Sequence, residues 1–376
     1  MERAGGLALM RARVLLTSEE AGRLPETKDI VRRVGAIGPR HVIIKGFPVE
    51  RPVSIFNPAM IVDERRDTIM LFPRVVLGYY MYVSSIAFVP VSISELGRNM
   101  ARSYKYQAEL VLYPDSKHDV WGTEDPRAHY LDGRLFITYV GRAVNYFDPR
   151  RWRNRTRPVT ATLSESGKWV KRAVFIPSVE FFGDVVSNKN AFLFKPDDEH
   201  LYLFHRIHTK EDDGFYLLLS TVPAGVVKEG EKLREVYVDN GLVVLKPAEW
   251  ELRLGWGTPP VEVEKSKFVV ILHALDHEGV VYRVFAMLLR LRGSILELES
   301  ITPTYIMEPR ESFEVYGDRP LVVFPCGAAR LDDAILISYG AADISIGIGS
   351  VEVSELMDML ESNRLEMPLR LELVEK

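Results

Sequence analysis

The chain has 376 residues and a formal net charge of -4, and 47% of its residues are hydrophobic. With a mean hydropathy of -0.02 and a pI of about 6.1, this is the composition of an ordinary globular protein long enough for a large core. It excludes a basic, polyanion-binding protein, so no nucleic-acid partner is expected. Nor is a membrane partner expected, because no apolar run is long enough to span a bilayer.

In chain order, the first feature is Leu7-Ala8-Leu9-Met10, an apolar run broken at once by Arg11 and Arg13. That is not a secretory leader, and a cytoplasmic location is expected. Residues 1–50 form an N-terminal extension that is expected to be partly helical. Thr17-Ser18-Glu19-Glu20 offers a helix cap, and Ile30-Val31-Arg32-Arg33-Val34 has helical spacing, so a helix is predicted over 17–35, interrupted at Pro25. It should pack on the outside of the main domain or on a partner subunit.

Residues 51–376 are expected to form one catalytic domain. From Val53 to Val353 the chain consists of short strands rich in β-branched and aromatic residues, such as Thr68-Ile69-Met70-Leu71-Phe72 and His200-Leu201-Tyr202-Leu203-Phe204. Strand, polar turn, strand recurs at Asp132-Gly133, Asp197-Asp198-Glu199 and Asp332-Asp333. The repeat is about 50 to 70 residues, the scale of a propeller blade, which over roughly 300 residues gives about five blades. A large β-sandwich or two all-β domains would share this strand content. Near the end, Ser354-Glu355-Leu356-Met357-Asp358-Met359-Leu360 predicts a short amphipathic helix capped by Ser354.

The chemistry is first bounded by exclusion. The single cysteine, Cys326, rules out an internal disulfide and a cysteine-based zinc site, and its apolar neighbours predict a buried, inert thiol. There is no phosphate loop, dinucleotide fingerprint or nucleophile elbow. His205 and His208 would point to opposite faces of a strand, so no metal site is expected. The cluster Arg150, Arg151, Arg153, Arg155 and Arg157 is expected to be a solvated loop.

What remains is Glu124-Asp125-Pro126-Arg127, two adjacent carboxylates beside a cation. We expect a turn here, with Pro126 biasing Asp125 toward extended backbone. On spacing alone, an ion-paired turn is the plainer reading. Four further segments place polar residues at strand ends: Asn57-Pro58-Ala59 with Arg74, Asn188-Lys189-Asn190 with His205-Arg206, Gly255-Trp256-Gly257 through Glu262, and Phe324-Pro325-Cys326 with Tyr339-Gly340-Ala341-Ala342-Asp343. In a propeller the inner strands converge on the axis, and these segments would meet there.

In this order, the Asn-Pro-Ala, Gly-x-Glu-Asp-Pro-Arg, Lys-Asn-Ala-x-Leu-Phe, His-Arg, Gly-x-Gly-x-Pro-Pro and Tyr-Gly-Ala-Ala-Asp elements resemble glycoside hydrolase family 130, the β-mannoside phosphorylases and mannosidases. The resemblance implies an all-β, five-bladed β-propeller with a central active site, carrying N-terminal and C-terminal helical decorations. It implies an inverting glycoside phosphorylase, a glycosyltransferase-type reaction that passes a hexosyl group to phosphate. Manno-oligosaccharide and inorganic phosphate would be the substrates, with no other cofactor. Asp125 would be the catalytic proton donor. Arg74, Arg127, Arg142, Lys189, His205 and Arg206 would bind phosphate, and Asn57, Glu124, Trp256, Glu262 and Asp343 the sugar. Trp256, Tyr79 or Tyr82 could stack on a sugar face. The N-terminal extension is expected to support a homo-oligomer, as in relatives.

Two departures concern the first blade: Leu71-Phe72-Pro73-Arg74 stands where the family has Tyr-Arg, and residues 76–98 lack its Ser-x-Asp-Gly pattern. The rival readings are an inverting β-mannoside hydrolase of the same family, a furanosidase-type propeller, and a non-catalytic carbohydrate-binding propeller. Hydrolysis needs a second carboxylate as base, whereas phosphorolysis needs cations to hold an anion that is already a nucleophile. The abundance of basic residues near the matching elements favours phosphorolysis.

Overall fold

The structure, a computed structural model, describes residues 12–78, 82–97, 105–145, 147–228 and 232–373. Among these residues, five sheets follow one another along the chain and form a five-bladed β-propeller. The innermost strands of blades I to V are Ser54–Asp63, Thr123–Leu131, Val185–Phe194, Glu251–Trp256 and Val323–Leu331. Each pairs antiparallel with the next strand of its blade.

Both faces of a blade are covered by neighbouring blades, so its central strands read as continuous apolar runs rather than as an alternation. Leu201–Phe204 and Val269–Leu272 are buried throughout. The apolar clusters follow this stacking. One joins Phe72 of blade I to Ile137 and Tyr139 of blade II. Others join Phe136 to Leu203 between blades II and III, Phe204 to Trp256 and Phe285 between III and IV, and Ile271 to Ile337 between IV and V. The last joins Leu336 and Ile346 of blade V to Leu71 and Val89 of blade I, which closes the ring.

The helix expected over 17–35 does not form. Thr17 makes a parallel bridge to Lys246, residues 18–22 are turns, and Thr27 bridges Tyr305. Arg32–Ile37 is instead a strand, antiparallel to Ser345–Glu352 on the outer edge of blade V. β-Branched Ile30 and Val31 favour extended chain, and Val31 and Ile37 gain burial against blade V that a surface helix would not give them. Two further strands tie this segment to the ring in parallel: Arg13–Val14 to blade III and Val42–Ile44 to blade I. Arg23 pins it from within. Its guanidinium is fully buried, 2.7 Å from Glu251 and 3.8 Å from the centre of the Phe285 ring.

The C-terminal helix is present at Val353–Ser362, with Glu352 rather than Ser354 at the N-cap. The following strand Arg364–Arg370 extends blade IV. Among the described residues no helix is long and apolar enough to cross a membrane.

Candidate active site

In blades I, II and III the innermost strand slips register against its partner at the same place: between Phe56 and Ala59, between Glu124 and Arg127, and between Lys189 and Phe192. At each slip stands a non-glycine residue with positive φ: Asn57 (49°), Asp125 (47°) and Asn190 (55°). Asn and Asp tolerate the left-handed region better than other non-glycine residues, and a bulge re-aims the side chain it carries. Asp125 is therefore neither in a turn nor in extended backbone. It lies within a strand, at a bulge, and the tertiary bulge overrides the bias that Pro126 imposes.

All three bulged residues line one cavity of about 350 Å3. Asp343 joins them from the hairpin of blade V, also with positive φ (52°). Arg74 and Lys189 project into the same space. Asn57 Nδ2 donates to Asp125 Oδ1 at 2.7 Å. Arg74 donates to Asp125 Oδ1 at 3.3 Å and to Glu124 Oε1 at 3.1 Å. Behind them, Glu124 is approached by Arg142 at 3.6 Å and by Lys189 at 3.4 Å.

Burial opposes ionisation of both carboxyls, but Arg74 and Lys189 outweigh it and hold Glu124 and Asp125 below the usual carboxylate range. Asp343 behaves oppositely. Burial, with the nearby Asp125 charge, pushes it up to about 6.

Not every residue singled out in the sequence reaches the cavity. Arg127 is fully buried and does not line it. Its guanidinium donates to the carbonyls of Asp125 (2.7 Å), Gly257 (3.0 Å) and Trp256 (3.2 Å), tying blade II to blade IV. Arg142 is also buried and faces Glu124 rather than the cavity.

His205 is held between Asn188 Oδ1 (3.1 Å) and Ser220 Oγ (2.9 Å), and burial pushes its pKa down to about 3. A neutral, enclosed imidazole adds no charge to an anion site. Its strand neighbours Arg206 and His208, on the other face, do line the cavity.

Trp256 is a core residue, edge-on to Phe204 with ring centres 5.0 Å apart, and its indole N–H donates to the His205 and Leu218 carbonyls. Glu262 is exposed and accepts from the backbone of Ser266. Neither touches the cavity. Tyr82 donates to Asp318 outside the lining, and Tyr79 lies outside the described residues. Arg150 and Arg151 pair with Asp148, and Arg153 with Asp184, in the exposed loop expected of them, but Arg157 lies in the strand Thr156–Leu163, half-buried, with its guanidinium 2.8 Å from His118 Nδ1.

The sequence reading missed one wall. Phe215, Arg253, Tyr282, Arg319 and Phe324 line the cavity from blades III, IV and V. Phe324 lies in a segment already marked as a strand end. Arg253 had a usable signal, a charge between Leu252 and Leu254 in a strand that runs on to Trp256. Arg319 had none, because it enters from a connecting loop.

A family model described as beta-1,4-mannooligosaccharide phosphorylase matches residues 22–362. A 1,2-beta-oligomannan phosphorylase from Thermoanaerobacter sp. (strain X514) is 28% identical over 305 residues, covering 81% of this chain and 91% of that protein. A beta-1,2-mannobiose phosphorylase from the same organism is 28% identical over 276 residues, or 73% of this chain and 78% of that one. Among solved structures, beta-1,2-mannobiose phosphorylase from Listeria innocua, in complex with beta-1,2-mannobiose, superposes with a TM-score of 0.65 at 18% identity. The match covers 88% of this chain and 99% of that one, and carries the fold. Since the family model spans most of the chain, the protein belongs to glycoside hydrolase family 130.

Proposed function

We propose that this chain is an inverting β-mannoside phosphorylase, cleaving a β-mannoside with inorganic phosphate to give α-mannose 1-phosphate and a saccharide shortened by one unit. The observation that carries this reading is the pairing within the cavity of one acidic bulge, Asp125, with a cationic cross-strand pair. Lys189 and Arg206 are opposite each other in the blade III ladder, and both line the cavity. Side chains opposite each other in a ladder share a face, so the two can hold one phosphate between them.

In the proposed reaction a phosphate oxygen forms a bond to the anomeric carbon as the bond to the leaving saccharide oxygen breaks. The proton carried by Asp125 passes to that oxygen. Asp125 is ionised in the free enzyme, so it must acquire this proton on binding. A phosphate dianion beside Lys189 offsets that cation, which together with Arg74 keeps Asp125 ionised, and adds negative charge of its own, so its binding raises the pKa of Asp125 and favours proton uptake from solvent. Asn57 and Asp343 offer acceptors for sugar hydroxyls. Lys189→Ala should raise the KM for phosphate by about tenfold or more with a smaller effect on the mannoside KM. Initial rates with each substrate varied in turn would check this.

Because the relatives named above act on β-1,2-linked mannosides, that linkage is the first to test. Purified protein incubated with β-1,2-mannobiose should release α-mannose 1-phosphate only when phosphate is present. Release of free mannose at the same rate without phosphate would overturn phosphorolysis in favour of hydrolysis, with Asp343 as the remaining cavity carboxyl.

A further inference from the structure

The Tyr-Gly-Ala-Ala-Asp element brings Asp343 to the cavity, but its glycine has no part in the reaction as described so far. Gly340 lies in the second strand of blade V, Ala334–Ala341, opposite Phe324 of the inner strand. It is buried, and its backbone is outside the left-handed region, so the local conformation does not call for a glycine. A close approach does. A Cβ at this position would stand 1.7 Å from Asn57 Oδ1, 2.9 Å from Asn57 Cγ and 2.9 Å from the Asn57 backbone N.

Blade V therefore forms the seat of the blade I bulge. Ser338, two residues before Gly340 and on the same face of the strand, donates its hydroxyl to the Pro58 carbonyl at 2.8 Å. The backbone N–H of Ile55 donates to the Ile344 carbonyl at 3.1 Å. Between these two bonds the Asn57 amide lies against the bare Cα of Gly340.

The orientation of that amide bears on the acid. Its Nδ2 donates to Asp125 Oδ1 at 2.7 Å, while its own oxygen, turned to Gly340, has no hydrogen-bond partner. The reverse orientation would set an oxygen against an ionised carboxylate, which only accepts. Arg74 Nη1 donates to the same Asp125 oxygen at 3.3 Å. With two donors on Oδ1, that oxygen stays an acceptor, and a proton bound to Asp125 goes to Oδ2.

We propose that Gly340 is a positioning residue for the acid: its missing side chain makes room for the Asn57 amide, which reserves Oδ1 of Asp125 as an acceptor and leaves Oδ2 to carry the transferable proton. The inference rests on the reading of Asp125 as proton donor. Gly340 itself does not line the cavity.

The test is Gly340→Ala, assayed by phosphorolysis of β-1,2-mannobiose. The methyl group should drive the amide from Asp125 and lower kcat by about 10- to 100-fold, with a smaller change in the KM for mannobiose. Losing a donor to the ionised form raises the pKa of Asp125, so the basic limb of kcat/KM should move to higher pH. The charges that face Asp125, on Arg74, Lys189, Arg127, Arg206, Glu124 and Asp343, are all retained in this variant. Asn57→Gly, which keeps a residue at ease with positive φ, should produce both effects. The double variant should match Asn57→Gly within about twofold, because the methyl group then has no amide to displace.

Multiplied losses in the double variant would overturn the proposal. So would a Gly340→Ala enzyme with the kcat and pH limb of the wild type, or one impaired in the mannobiose KM alone, because the glycine would then only shape the sugar pocket. If Gly340→Ala does not fold, folding restored in the double variant supports the amide contact, and folding not restored overturns it. If the wild-type protein does not phosphorolyse β-1,2-mannobiose, or Asp125→Asn keeps its turnover, the parent reading fails separately. A crystal structure of Gly340→Ala then still decides the seat: the Asn57 amide displaced from Asp125 supports it, and the amide in place overturns it.

Discussion

Asp125 and Asp343 share one cavity with opposite protonation tendencies, and each gives a test. Asp125 is held ionised by Arg74 and Lys189 before ligands arrive. Asp125→Asn keeps the size of the side chain, tolerates the left-handed backbone and cannot donate a carboxylic proton. Turnover should fall by about 10² to 10⁴ with little change in melting temperature; retained turnover would remove Asp125 from the acid role. Because bound phosphate should raise its pKa, the basic limb of the kcat profile should lie at higher pH than that of kcat/KM.

For Asp343, the folded pKa of about 6 lies above the ordinary 3.8. Between these values the native state binds more protons than the unfolded state, so its contribution to stability falls as pH rises through this window and the penalty is complete above it. Asp343→Asn should therefore stabilise the protein by about 1 to 3 kcal/mol at pH 7.5, with the gain fading toward pH 4. Urea unfolding at the two pH values measures it, and a gain independent of pH would refute the assignment.

At the scale of elements, the bulge is the device that makes the site. Only Pro126 separates Asp125 from Arg127, yet the first enters the cavity and the second is sealed beneath it. The Arg127 guanidinium fixes the bulge by donating to the Asp125 carbonyl and carries it to blade IV through Trp256 and Gly257. Arg127→Met should strand these three carbonyls and cost about 3 kcal/mol or more in a urea titration. Activity should fall as well, although Arg127 does not line the cavity. The hairpin that follows was fully legible. Asp132-Gly133 predicts a tight turn, and Leu131 pairs with Arg134 across residues at φ of 51° and 74°. The backbone of Asp125 was not legible, because the local bias from Pro126 points elsewhere.

For the whole molecule, ring closure is the organising event. The N-terminal strand Arg32–Ile37 completes blade V, and Arg23 locks the preceding segment to Glu251 at the start of the blade IV inner strand. Ser18, Tyr305 and the backbone N–H of Ala248 also donate to Glu251, so its carboxylate is tightly enclosed. Arg23→Met should leave that charge unpaired and destabilise the protein by about 3 to 5 kcal/mol. Adding Glu251→Gln should recover part of the loss; no recovery in the double variant would show that Arg23 acts through packing on Phe285 alone.

The amino-acid sequence by itself determined the strand content, the polar turns, the C-terminal helix and the ordered motifs that mark the family. These features depend on residues adjacent in the chain or on the linear order of segments. Only the tertiary structure decided which polar residues meet. In a blade covered on both sides, apolar residues occupy both faces of a strand, so alternation no longer tells the axis from the space between blades. His205 was read with Arg206 as part of one site, and the strand sends them to opposite sides. Trp256 had the look of a sugar platform, and the contact between blades III and IV makes it core. Arg253 and Arg319 are far in sequence from Asp125, and only the closed ring brings them to one cavity.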